Sequence, residues 1–157
     1  MTERTRKKNI LPEGLLFGEA NFEERMRKEV QPWLKNQVKD GYFRSWDGSR
    51  IHYLSAVHPR ERAAVVFSHG FCEFSGKYHE MMYYFYQMGY SVFFMEHRGH
   101  GFSRRFLKDL HKVYVKSYQE YVKDLHVFVD GIVKKRSKSG ELYLFAHSMG
   151  GAIGALF

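Results

Sequence analysis

The stretch Leu142-Tyr143-Leu144-Phe145-Ala146-His147-Ser148-Met149-Gly150-Gly151 decides the fold. An apolar run of strand length enters a small-x-Ser-x-Gly turn, and a helix rich in Gly and Ala starts at Met149. That is the order of a nucleophile elbow, a sharp strand-to-helix turn that pushes one serine hydroxyl out of the top of a sheet. The residues around Ser148 must be small because the strand, turn and helix backbones pass close to one another. A serine of this kind works with a histidine base and a carboxylate, which in this arrangement come later in a chain than the serine.

Working outward, residues 141–146 read as a buried strand, and two more apolar runs resemble it: 63–68 (AAVVFS) and 91–95 (SVFFM). Tyr78, Met81, Met82, Phe85 and Met88 recur at helical spacing before Gly89. Ser117 with Glu120 has the spacing of a capping box. From Tyr121 to Val133 the apolar positions keep the helical period, and Lys134 to Arg136 suit the helix C-terminus. Residues 41–46 and 50–57, split by Asp47-Gly48, read as a β-hairpin with a tight turn at positive φ. Further back, Asn21 and Glu24 have capping-box spacing, and Phe22, Met26 and Val30 form an apolar stripe. Pro32 ends or restarts that helix, and residues 1–20 read as a loosely ordered arm. Strand and helix alternate through the second part, so the fold class is α/β: an N-terminal hairpin plus a parallel sheet with flanking helices. The expected division is an arm and helical segment, 1–39, followed by a partial catalytic-type domain, 40–157.

Functional groups in such sheets gather at the carboxyl ends of the strands. Three motifs fall there: Ser68-His69-Gly70-Phe71-Cys72-Glu73-Phe74-Ser75-Gly76-Lys77-Tyr78, then Glu96-His97-Arg98-Gly99-His100-Gly101-Phe102-Ser103, then the Ser148 turn. Singly each reads as an ordinary turn or helix cap. Together and in this order they resemble the N-terminal half of an α/β-hydrolase of the lysophospholipase/monoacylglycerol lipase group, the serine aminopeptidase S33-type hydrolases. The likeness covers roughly residues 40–157, with Tyr121 to Leu125 resembling the helix before the elbow strand. It departs from the group's pattern at Ala146 for Gly, Phe74 for His and Glu96 for Asp.

The resemblance implies roles residue by residue. Ser148 is the nucleophile toward an ester carbonyl, through an acyl-enzyme. The backbone N–H groups of Met149 and Phe71 form the oxyanion hole, where each donor is worth ~3 kcal/mol. His69, Gly70, Glu73, His147 and Gly150 support the site, with Lys77 bracing the same loop beside Glu73. Glu96 has a structural role. No cofactor is implied, and the expected partner is a small-molecule ester or lipid, most readily a lysophospholipid or monoacylglycerol. Simple carboxylic esters and peptide-like amides stay open, because the group's cap sets substrate choice. The base and acid are expected beyond Phe157, so the chain by itself is expected to be inactive. The alternative is a non-catalytic fragment that acts, if at all, by binding.

Composition bounds the remaining classes. With 14 Phe, 11 Tyr and three Pro in 157 residues, the chain has the makings of a core. The single Cys72 excludes an internal disulfide and fits a reducing compartment, so the expected location is cytoplasmic. No secretory leader or spanning segment is read. The net charge of +8 is scattered and lacks a recognition helix, RNA-binding signature or zinc-finger spacing, so nucleic acid is not the expected partner. Peripheral attraction to anionic membrane is the functional use that remains. Among His69, His97, His100, His111, His126 and His147 no third convincing ligand completes a metal site, and none is placed to be the base of Ser148.

Overall fold

The computed structural model describes residues 11–157, so the first half of the expected arm, 1–10, lies outside the described residues. β1 (Lys39–Arg44) and β2 (Arg50–Ala56) form the hairpin. β3 (Ala64–Ser68), β4 (Ser91–Met95) and β5 (Leu142–Ala146) run parallel, and β2 joins them antiparallel to β4. The sheet order is β1-β2-β4-β3-β5. Every residue of β3 and β4 is buried, which explains their continuous apolar sequence.

The two faces separate with period two along β3. Val65 and Phe67 pack with Leu54, Val92 and Phe94 beneath Val30, Trp33, Met82 and Tyr84. Those come from the N-terminal helical segment and from α3 (His79–Gln87). The segment comprises α1 (Phe22–Arg25), a π turn Met26–Val30 and α2 (Gln31–Gln37). Ala64 and Val66 face Tyr121, Leu125, Phe128, Val129, Val133 and Ile153 on the other side. Those come from α4 (Gln119–Phe128), its π continuation Val129–Val133 and α6 (Met149–Leu156), with the short α5 (Lys134–Arg136) between.

Several local expectations need correction. Residues 11–20 are not loose: Leu15 is buried in the core, and Phe17 N–H donates to Tyr84 Oη at 2.8 Å. Asn21 turns its side chain back to Gly18 N–H at 3.0 Å, and Glu24 pairs with Lys28, so no box forms between them. Pro32 restarts the helix in the first turn of α2, where a missing N–H is harmless. The Ser117 hydroxyl accepts from Gln119 N–H, whereas Glu120 reaches away to Arg98. The hairpin turn is longer than two residues. Ser45 N–H donates to Ser49 C=O and Gly48 N–H to Ser45 C=O, both at 2.9 Å, and only Gly48 takes positive φ.

β5 is apolar on both faces, as a buried strand would be, and among the described residues it pairs with β3 alone and stands at one edge of the sheet. Tyr143 is 57% exposed, while Phe145 packs on Phe67 and Phe85.

Candidate active site

At the end of β5 the chain reverses through Ser148, held at φ 51° and ψ −119°. A non-glycine residue at such a φ is strained, and strain of this kind persists only where the surroundings enforce it. Here they do. His147 N–H donates to Ser68 C=O at 3.1 Å, and Gly150 N–H to His147 C=O at 2.9 Å. The Ser68 hydroxyl donates to Gly150 C=O at 3.2 Å. A Cβ at Gly150 would lie 2.0 Å from Ser68 C=O oxygen and 2.7 Å from that of His69, so only glycine lets α6 start against the end of β3. Ser148 itself is exposed, at the N-cap position of α6.

The loop after β3 is drawn to this turn by Glu73. One carboxylate oxygen accepts from Gly70 N–H at 2.7 Å and from the Tyr78 hydroxyl at 2.6 Å, and it stands 3.2 Å from His147 Nδ1. Burial alone would raise this carboxyl, but the Tyr78, Gly70 and His147 partners outweigh it and hold the pKa at about 2. A Cβ on Gly70 would come within 2.8 Å of Glu73 Oε2 and 2.9 Å of His147 Nδ1, so the loop and the elbow meet at a glycine. Lys77, expected to brace the loop, does not: its side chain makes no hydrogen bond or ion pair among the described residues, and only its backbone N–H is used, toward Phe74. The N–H groups of Phe71 and Met149 donate to no protein acceptor among the described residues.

His69 fixes the base of that loop. Its Nδ1–H donates to Gly70 C=O at 2.7 Å, and its Nε2 accepts from His97 N–H at 2.9 Å. That pattern sets one neutral tautomer, and burial lowers the pKa to about 4. His97 and His100 are also buried and shifted down, chiefly by burial. His97 Nε2 meets the Ser68 hydroxyl at 3.1 Å, and His100 Nδ1 meets Arg98 C=O at 3.1 Å. Their remaining nitrogens have no hydrogen-bond partner among the described residues, as suits uncharged rings. His147 is turned to Glu73, His111 and His126 lie on the surface, and no histidine hydrogen-bonds the Ser148 hydroxyl among the described residues. No group of three His, Cys, Asp or Glu side chains among the described residues converges as metal ligands.

Two carboxylate clusters brace the loop after β4. Glu96 accepts from Ser75 N–H at 2.9 Å, Phe102 N–H at 2.6 Å and His52 Nδ1 at 2.9 Å. The longer carboxylate thus ties both loops together, and a Cβ at Gly101 would lie 2.1 Å from it. His52 Nε2 reaches Asp40 at 3.0 Å. Arg98, wholly buried, forks onto Asp124 at 2.6 and 2.7 Å and reaches Glu120 at 2.9 Å and Asp47 at 3.1 Å. His52, Asp40 and the Arg98–Asp124 pair escape a reading of the sequence, since their partners lie far along the chain. The available signal was Asp124 on the apolar face of a helix, where an unpaired charge is not tolerated.

Comparison with known proteins places this geometry. The family profile described as serine aminopeptidase, S33, matches residues 59–157. Lysophospholipase L2 of Escherichia coli (strain K12) is 40% identical over 107 residues, which is 68% of this chain and 30% of that protein. The monoacylglycerol lipase of Mycolicibacterium smegmatis is 34% identical over 92 residues, 59% of this chain and 31% of the lipase. Among solved structures, a highly thermostable carboxyl esterase from Bacillus coagulans superposes with a TM-score of 0.64 at 27% identity, covering 74% of this chain and 38% of the esterase. An epoxide hydrolase from Vigna radiata, at 19% identity, TM-score 0.58 and 75% and 33% coverage, shares the fold alone. The chain spans about a third of the length of these relatives. No helix among the described residues is long and apolar enough to cross a membrane.

Proposed function

The chain belongs to the serine aminopeptidase S33 family of α/β-hydrolases, and from that premise we propose that it carries the nucleophile and oxyanion half of an ester-hydrolysing site. In this reading Ser148 attacks the ester carbonyl, its oxygen forming the new C–O bond while the alkoxide leaves as an alcohol. Water then releases the carboxylic acid from the acyl-enzyme. The carbonyl oxygen becomes an anion between the Phe71 and Met149 N–H groups, aided by the N-terminal end of the α6 dipole. Glu73, His69 and His147 position the loop that carries Phe71, and Gly150 positions the turn. The observation that carries the reading is the strained, exposed Ser148 locked against β3 by Gly150.

The substrate class proposed is a lysophospholipid or monoacylglycerol, as named for relatives at 40% and 34% identity. No described histidine hydrogen-bonds the Ser148 hydroxyl, so in this reading the base and its carboxylate are assigned outside residues 11–157. The test is hydrolysis of both substrates by the product of the reading frame extended beyond Phe157, by its Ser148→Ala variant, and by the 157-residue chain alone. Turnover should fall by about 10³-fold or more in the variant. The short chain should not exceed that variant. Activity insensitive to Ser148→Ala would refute the nucleophile, and ordinary turnover by the short chain would refute the placement of the base.

A further inference from the structure

The connection between β4 and α4 has neither helix nor strand from Glu96 to Tyr118, and its outer part has an unusual composition. Phe102, Phe106, Leu107, Leu110 and Tyr114 are all exposed, Phe102 and Leu110 at 67% each. Interleaved with them are Arg104, Arg105, Lys108, Lys112 and Lys116, against the single carboxylate Asp109. A loop this long without regular structure is usually functional, and exposed apolar side chains in a contiguous group mark an interaction surface.

The loop stands beside the candidate site. A cleft of about 410 Å³ is lined by Cys72 and Phe74 from the loop after β3 and by His100, Arg105, Leu110 and Val113 from the loop after β4. Phe71, which carries one of the proposed oxyanion donors, packs edge-on against His100 at 5.6 Å and is itself exposed. Val113 folds back over Gly99, where an added Cβ would meet it at 2.9 Å. Phe74 and the loop therefore line one cleft, and Phe71 packs on the His100 that also lines it. The cations have few internal partners. Lys112 pairs with Asp109 at 3.4 Å on the surface, and Arg105 Nη1 bonds Leu110 C=O at 3.0 Å, which holds the loop's shape and leaves the charge unneutralised.

Apolar side chains that protrude among cations in excess of their one carboxylate fit a surface that is anionic outside and hydrocarbon beneath. We propose that residues 102–116, with Phe71 and Phe74, dock the protein on an anionic phospholipid bilayer, with the mouth of the Ser148 site toward the lipid. A protein partner would satisfy the apolar groups, and nucleic acid the cations, but the bilayer satisfies both at once. The inference goes beyond the hydrolytic reading and does not need Ser148 to react.

The test is vesicle flotation of the intact protein carrying Ser148→Ala, which separates binding from turnover and floating complexes from aggregate. The probes are phosphatidylcholine vesicles with and without phosphatidylglycerol. Binding should require the anionic lipid and weaken in high salt. Lys108→Gln with Lys112→Gln should raise the dissociation constant about 25-fold, roughly five-fold per cation. Leu110→Ser should raise it about tenfold in a salt-independent way. Both variants change exposed side chains, and an unchanged far-ultraviolet spectrum confirms folding. Equal binding to neutral vesicles, indifference to both variants, or equally tight capture by duplex DNA would overturn the proposal.

Discussion

Gly150 and Gly151 are neighbours in the first turn of α6, and the same substitution should have opposite effects at each. A methyl at Gly150 would sit 2.0 Å from the Ser68 carbonyl oxygen and 2.5 Å from its carbon, about 1 Å inside normal contact. Both atoms are backbone, fixed by the parallel pairing of β3 with β4 and β5, so no side chain can swing aside. The helix start must move instead, at the expense of the Ser68–Gly150 and His147–Ser68 hydrogen bonds. Overpacking of about 1–3 kcal/mol and two bonds at about 1 kcal/mol each give a destabilisation of about 3–5 kcal/mol. Gly151 has nothing within 4 Å of its would-be Cβ, so alanine there gains about 0.5–1 kcal/mol from helix propensity. With about 2–4 °C per kcal/mol for a chain of this size, Gly150→Ala should lower Tm by about 6–20 °C, and Gly151→Ala should raise it by about 1–4 °C. Thermal melts followed by circular dichroism at 222 nm, with urea midpoints as a second measure, decide the matter. A Gly150→Ala protein melting within 2 °C of the parent, or a Gly151→Ala protein as damaged as Gly150→Ala, would refute the close-approach argument.

Three further outcomes follow from the buried polar groups. Asp124→Asn should destabilise by about 3 kcal/mol, because Arg98 would keep its charge in a buried site with only Asp47 and Glu120 to answer it; Asp47→Asn, at a partly exposed partner, should cost about 1 kcal/mol or less in the same denaturation assay. Glu73 has a folded pKa of about 2, below its unfolded value, so its stabilisation is present above pH ~4.5 and lost as pH falls toward 2; the gap between the parent and Glu73→Gln should narrow by about 2 kcal/mol over that window, and a constant gap would refute the assignment. For His52, burial alone would lower the pKa, but Glu96 and then Asp40 outweigh it and raise it; its contribution is therefore complete below pH ~6.5 and lost as pH rises through the folded value, and His52→Gln should abolish that alkaline loss of stability in urea titrations from pH 6 to 9.

The architecture was legible where local pattern and global role coincide. β3 and β4 are covered on both faces, so their burial is written as uninterrupted Val, Phe and Met, and the Gly-rich turn announces the elbow. β5 carries the same apolar signature, and among the described residues only β3 stands beside it, since a strand's own sequence states its fitness for burial but not its neighbours. Capping spacing misled twice for a related reason. Glu120 and Asn21 can each satisfy a nearby backbone group, but Glu120 is offered a buried guanidinium and Asn21 a free N–H at Gly18, and the stronger or nearer partner prevails. Around the elbow, Ser148, Gly150, Gly70 and Glu73 could be picked out of the sequence because the contacts that place them follow from short-range geometry. Lys77 was named by the same proximity to Glu73, yet its side chain lies in solvent, where an ion pair would gain little. His52 and Asp40 could not be found this way, since only the pairing of β1 with β2 and of β2 with β4 brings them to Glu96.

That distribution of partners bears on how the nucleophile is held. Each of the three strand ends contributes one interlock. Ser68 and His69 at β3 grip Gly150 and the following loop, Glu96 at β4 ties the loops after β3 and β4 to His52, and His147 at β5 answers Glu73. The carboxylates in these locks are occupied by hydrogen bonds, and the buried histidines are held neutral or turned away from Ser148. A group so committed cannot also exchange protons with a serine without releasing its loop. The polar residues around Ser148 therefore form a platform that fixes where the hydroxyl and the two N–H donors stand. In the reading proposed above, such a platform would keep the Ser148 hydroxyl in one place whatever ester is bound.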